Sequence, residues 1–204
     1  MNPEDTAHPL SGVLDVWERV VDDMEATAAE YREDGWETLE LHPGDVTPIP
    51  GTRDQPPTAP GEDAAGGEAV DLPEDTFGLD ALLPGDEFEA VSEAIESATF
   101  DEFEVFRADS GGVVFLVLAM LAPDADRAVL LPLYYATGDA TAMARRAREA
   151  GEMRVVVRPL SDDEQVVFTQ ADPEPLLPEA REAAPSEDDV PVADGETEPE
   201  RTEE

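Results

Sequence analysis

From Val113 to Leu121 every side chain is apolar, in a chain that is otherwise heavily acidic. The run follows the turn signal Asp109-Ser110-Gly111-Gly112 and ends at Ala122-Pro123-Asp124. It is far short of the about 20 residues that cross a bilayer. It has the length of one strand, and a strand apolar at every position is buried on both faces. The stretch therefore predicts the central strand of a sheet with cover on each side.

The rest of the chain must supply that cover while carrying 51 Asp and Glu against 12 basic residues, all of them Arg, for a formal charge of −39. Such a charge opposes compaction at ordinary ionic strength and disfavours non-specific binding to nucleic acid. Multimolar salt shortens the screening length to about 3 Å or less and removes most of the repulsion. Acid-rich, Lys-free composition around a normal apolar fraction of 41% suits a cytoplasm of concentrated salt. An acidic nucleic-acid mimic is the rival reading, but the charge is spread along the whole chain. With no Cys, disulfides, thiolate catalysis and Cys-ligated metal centres are excluded. With no Lys, Schiff-base chemistry and the P-loop lysine go too. No basic-then-apolar leader and no membrane-spanning segment is evident, so the expected location is cytoplasmic, with no membrane partner.

Residues 1–9 read as a disordered lead. An N-terminal helix–strand unit spans 10–46. Its helix places Leu10, Val13, Leu14, Trp17, Val20, Val21, Met24, Thr27, Ala28 and Tyr31 at 3-4 spacing, and Gly35 stops it. The stripe either packs on a sheet or pairs with a partner or with its own copy. Trp36 to Leu41 reads as a strand, and 47–75, rich in Pro and Gly, as a linker. The main domain, 76–171, holds a helix Phe88–Ala98 and strands Phe103–Arg107, Val113–Leu121 and Ala128–Ala136. A helix Ala140–Ala150 and strands Met153–Pro159 and Gln165–Thr169 complete it. Short turns make the first three of these strands an antiparallel meander. Residues 172–204, with six Pro, read as a disordered acidic tail. The expected fold is α+β, with a mainly antiparallel sheet of five to six strands and two to three helices.

Motifs with specific chemistry are scarce. His42 and Asp45 could offer two metal ligands at a strand end, but a site wants three or four, and Pro43-Gly44-Asp45 is ordinary turn chemistry. Arg145, Arg146, Arg148, Arg154 and Arg158 are the main concentration of positive charge. Arg145, Arg148, Arg154 and Arg158 form a candidate anion site, for phosphate, a nucleotide or an acidic partner. The bland alternative is charge balance at a helix C-terminus and across a strand. Thr137-Gly138-Asp139 can hold an anion on backbone N–H groups, but it reads better as a helix start capped by Asp139. No hydrolase, zincin or dinucleotide fingerprint occurs. No catalytic residue, metal ligand or cofactor is assigned.

Three segments, Gly35-Trp36-Glu37-Thr38-Leu39-Glu40-Leu41-His42-Pro43-Gly44-Asp45, Leu133-Tyr134-Tyr135-Ala136-Thr137-Gly138-Asp139 and Met153-Arg154-Val155-Val156-Val157-Arg158, resemble an uncharacterised family of halophilic archaea. The resemblance covers about residues 10–178. It implies a haloarchaeal cytoplasmic origin and says nothing of activity.

The expected function is non-enzymatic: an interaction or regulatory protein. It would bind a protein partner, or form a homodimer, through the 10–34 helix (Val13, Trp17, Met24) or an exposed sheet edge. The alternative is a small-molecule or nucleotide-binding domain using the Arg cluster, with or without catalysis.

Overall fold

The computed structural model describes residues 11–51, 76–161 and 164–179. In chain order they form α1 (Ser11–Glu33), β1 (Glu37–Glu40), β2 (Asp45–Ile49), β3 (Gly78–Leu83), α2 (Gly85–Ser97), β4 (Glu102–Ser110), β5 (Val113–Ala122), β6 (Arg127–Ala136), α3 (Thr141–Ala150), β7 (Glu152–Pro159) and β8 (Val166–Ala171). The expected disordered lead, most of the linker (52–75) and the tail beyond 179 lie outside the described residues.

The fold is α+β with three helices, as expected, but it has eight strands in two sheets. The first sheet runs β1-β6-β5-β4 and the second β2-β3-β7-β8. Each is mixed: β1 pairs with β6 and β3 with β7 in parallel, and all other pairings are antiparallel. The expectation of one mainly antiparallel sheet of five to six strands is corrected on both counts. The missed strands are β2 and β3. β2 contains Pro48, which marks a strand down in sequence; it is tolerated because β2 is an edge with a single neighbour. Residues 47–49, assigned to the linker by composition, belong to this strand.

The meander β4-β5-β6 forms as its turns dictate. Gly111 and Gly112, at φ of 61° and 80°, make the two-residue connection between Ser110 and Val113. Positive φ at both positions is what a tight hairpin of this twist requires, and only glycine adopts it cheaply. Gly35, at φ 93°, ends α1; its N–H and that of Trp36 bond to the Arg32 and Tyr31 carbonyls at 3.1 and 2.9 Å.

β5 is buried on both faces. Val114, Leu116, Leu118 and Met120 point inward, to a core shared with Leu79, Leu83, Val155, Val157 and Phe168 of the second sheet and with α2 and α3. Phe115, Val117, Ala119 and Leu121 point outward, under Val20, Met24 and Ala28 of α1. Each such buried side chain contributes about 1.5–3 kcal/mol relative to exposure. α1 lies over β1, β6 and β5.

Two further expectations are corrected. Residues 172–179 were assigned to the tail, yet Glu174–Leu176 forms a 3₁₀ turn and Leu176 and Leu177 are fully buried. The buried Tyr135 hydroxyl donates to the Leu176 carbonyl at 2.6 Å. Two leucines after six residues of β8 are enough apolar surface to hold a Pro-broken segment on the core. At the start of α3 the cap position is taken by Ala140, not Asp139. The Thr141 hydroxyl instead donates to the Gly138 carbonyl at 3.0 Å.

Candidate interaction surface

The arginines of the 145–158 stretch each engage groups of the fold. Arg148 donates to both oxygens of Glu174 at 3.0–3.3 Å, and to the Pro178 carbonyl. It thereby ties α3 to the segment after β8. Arg158 forms a two-pronged pair with Asp80 at 2.7–2.9 Å, linking β7 to β3. Arg154 lies 3.9 Å from Glu152. Arg146 sits over the Phe77 ring at 5.4 Å, and Arg145 is exposed on α3. The structure thus gives Arg148, Arg154 and Arg158 separate carboxylates.

Of the α1 candidates, Met24 is fully buried against the first sheet. Trp17 is half-buried and meets Tyr134 edge-on at 5.1 Å. Val13 belongs to α1, and its side chain lies outside the described residues. His42 turns to Glu87, with Nδ1 2.9 Å from Oε1, while Asp45 accepts from the Thr47 hydroxyl at 3.1 Å. Glu87 is remote in sequence, and nothing near His42 announces it. Among the described residues, no group of three or more His, Asp or Glu side chains could hold a metal ion.

A cleft of about 390 Å³ lies between α2 and the β1–β6 pair. Leu39, Phe100 and Val129 line it alongside Glu37, Glu93 and Arg127. Its cation is already engaged: Arg127 bonds Glu37 at 2.8 Å and also donates to the Ser97 hydroxyl. The lining thus mixes apolar and charged side chains, and it includes Thr38, whose buried hydroxyl has no hydrogen-bond partner among the described residues.

The exposed edge of the first sheet has a different character. Edge strands offer a row of unpaired backbone groups, and proteins blunt them with brevity, proline, charge or a bend. Three of the four edges here are blunted by brevity, proline or a bend, and β4 by charge alone, from Glu102, Glu104, Arg107 and Asp109. β1 has four residues, β2 carries Pro48, and β8 is cut off after six residues by Asp172 at φ 56°. β4 has nine residues and no proline. On its α1-facing side it alternates Glu102, Glu104, Phe106, Ala108 and Ser110, all exposed. The Phe106 ring is 45% exposed. It borders a groove of about 90 Å³ with Val20, Asp23, Ala108 and Val117.

Side-chain bonds hold the two ends of β4 in place. Tyr31 of α1 donates to Glu104 at 2.7 Å, and burial, followed by that bond, raises its phenol well above the ordinary value. Arg107 grips Asp109 at 2.7–2.8 Å, which holds the Asp109 carboxyl below the usual carboxylate range. Arg107 also donates to the Leu177 carbonyl. Sequence reading placed β4 but passed over Phe106. The signal was there: Phe106 is the one large apolar residue on the polar side of a period-2 pattern.

A model of a family of unknown function, DUF7529, matches residues 4–178. The chain belongs to that family. The match ends just after Leu177, where the described core also closes. No curated protein and no solved structure matches the chain. Among the described residues, no helix is long and apolar enough to cross a membrane.

Proposed function

We propose that the protein is a non-enzymatic interaction module of a salt-adapted cytoplasm, and that its working surface is the β4 edge. The observation that carries this is Phe106, nearly half exposed on the longest edge strand among the described residues. The charge of −39 supports the salt-adapted setting, since a chain this acidic compacts best where its repulsion is screened. The α1 stripe, with Val13, Trp17 and Met24 as its expected contacts, is the other candidate surface, and Trp17 is partly exposed there. Met24 would report on folding if changed, because it is fully buried.

The anion-binding alternative draws less support, because Arg148 and Arg158 already hold Glu174 and Asp80. It would regain ground if phosphate raised the melting temperature at high KCl and Arg148→Ala abolished the rise.

The test of the main reading is Phe106→Lys, with Val167→Lys on β8 as a control of similar exposure (42%). Native purification in multimolar KCl, followed by mass measurement, should show the assembly lost only with Phe106→Lys, with the melting temperature unchanged. An assembly that survives Phe106→Lys removes the basis of the proposal.

A further inference from the structure

Resting on that reading, we propose that the partner of the β4 edge is a second copy of the same strand. The two strands would run antiparallel about a two-fold axis through Phe106 and join two first sheets into one of eight strands. The argument is one of register. An axis perpendicular to the sheet keeps each face on its own side, so a residue can only pair with one from the same face of β4. That leaves a small set of registers, and their charges and lengths separate them.

With the axis at Phe106, Glu104 lies opposite Ala108, Glu102 opposite Ser110, Val105 opposite Arg107 and Phe103 opposite Asp109. No charge faces its like. Moving the axis to Glu104 or Arg107 sets that residue against itself. Moving it to Val105 brings Asp101 against Asp109, and moving it to Ala108, which also keeps like charges apart, pairs only residues 106–110 where the Phe106 register pairs all nine. Directly opposed side chains lie within about 5.5 Å, where like charges destabilise a pair. The Phe106 register also brings the two exposed rings together beside the grooves that border α1. Each α1 lies mainly over β1, β6 and β5 of its own sheet and reaches β4 through Tyr31 at Glu104 and through Val20 and Asp23 beside Phe106.

Charge also distinguishes this occupant from the others. The chain beyond residue 179 is acidic, with Arg181 and Arg201 its only cations, and matches poorly to an edge bearing Glu102 and Glu104. A basic partner would be held by long-range attraction and would dissociate as salt rises. Two polyanions behave in the opposite sense. Their repulsion fades as the screening length falls from about 10 Å at 0.1 M to about 3 Å at 1 M salt. Self-pairing through β4 therefore strengthens with KCl.

The chain has no cysteine, so introduced thiols report contacts without background. Opposed Cα atoms in an antiparallel pair are about 4.5–5.5 Å apart, within the range a disulfide spans. In multimolar KCl with oxidised glutathione, Phe106→Cys should trap a dimer rapidly, and Val167→Cys should not. Glu104→Cys mixed with Ala108→Cys should give the mixed disulfide in preference to either symmetric one. Light scattering of the unmodified protein should give twice the chain mass in multimolar KCl and a smaller value in dilute KCl. Monomer mass at every KCl concentration, with Phe106→Cys no faster than Val167→Cys, overturns the second copy. If that monomer loses a different protein on Phe106→Lys, the interaction reading stands without self-pairing. If it loses nothing, both fall.

Discussion

The two sheets have the same number of strands and are built in opposite ways. In the first, β4, β5 and β6 follow one another through tight turns, and β1 alone joins from a distant stretch. In the second, β2, β3 and the β7–β8 pair come from three separated stretches. The edges differ as well. The second sheet ends in a proline-bearing strand and a short one, whereas the first ends in the four-residue β1 and in β4, nine residues long and guarded by charge alone. Local connection makes a sheet easy to specify, and here it has been carried through to an edge left available. Distant assembly relies on close backbone fit and leaves nothing open.

The sharpest way to break this comparison is at Gly78, where β3 meets β7. Its φ is 147°, and an added Cβ would lie 1.7 Å from the Arg154 carbonyl oxygen, an impossible separation. Gly78→Val should therefore separate the parallel pair at a cost above about 4 kcal/mol, measured by denaturant unfolding in high KCl. Gly44→Ala, with open space around it, should be nearly neutral. In the first sheet the comparable change is loss of a buried side chain. There Leu118→Ala leaves a cavity between the sheets and should cost about 2–5 kcal/mol, the range for fully buried Leu.

Tyr135 gives a smaller effect that joins the two sheets through the segment after β8. Tyr135→Phe leaves the buried Leu176 carbonyl without its donor and should cost about 1–2 kcal/mol. The pH dependence has a definite sign. Burial, the leading cause, raises the Tyr135 phenol above its ordinary value, so the folded state holds the proton more tightly than the unfolded chain. Stability from this group is complete below about pH 10 and declines as pH rises past it. Tyr135→Phe should flatten that alkaline decline in a melting series, and Tyr31, raised in the same direction, should retain part of it.

Legibility in sequence followed the same division. The apolar run of β5 announced burial on both faces, and the 3-4 stripe of α1 announced the helix that covers one of them. Turn residues then made the meander readable. β2 and β3 were not readable, because Pro48 and Gly78 are sequence signals against a strand. What permits them is the edge position of one and the close approach of β7 to the other, and both are tertiary facts. The Arg cluster was visible as a concentration of charge, but its partners Asp80 and Glu174 lie far off in the chain, so spacing could not tell a site from a set of ion pairs. Phe106 was legible only as a break in an alternating pattern, and its meaning depended on knowing that β4 is an edge strand.

The most direct measurement is amide hydrogen exchange in multimolar KCl at low and high protein concentration, resolved to β4 and β8. The account predicts that the β4 amides pointing away from β5 exchange rapidly when dilute and become protected when concentrated, while β8 does not change. Protection that is the same at both concentrations, or that appears on β8 instead, would contradict the claim that β4 is the edge this protein uses.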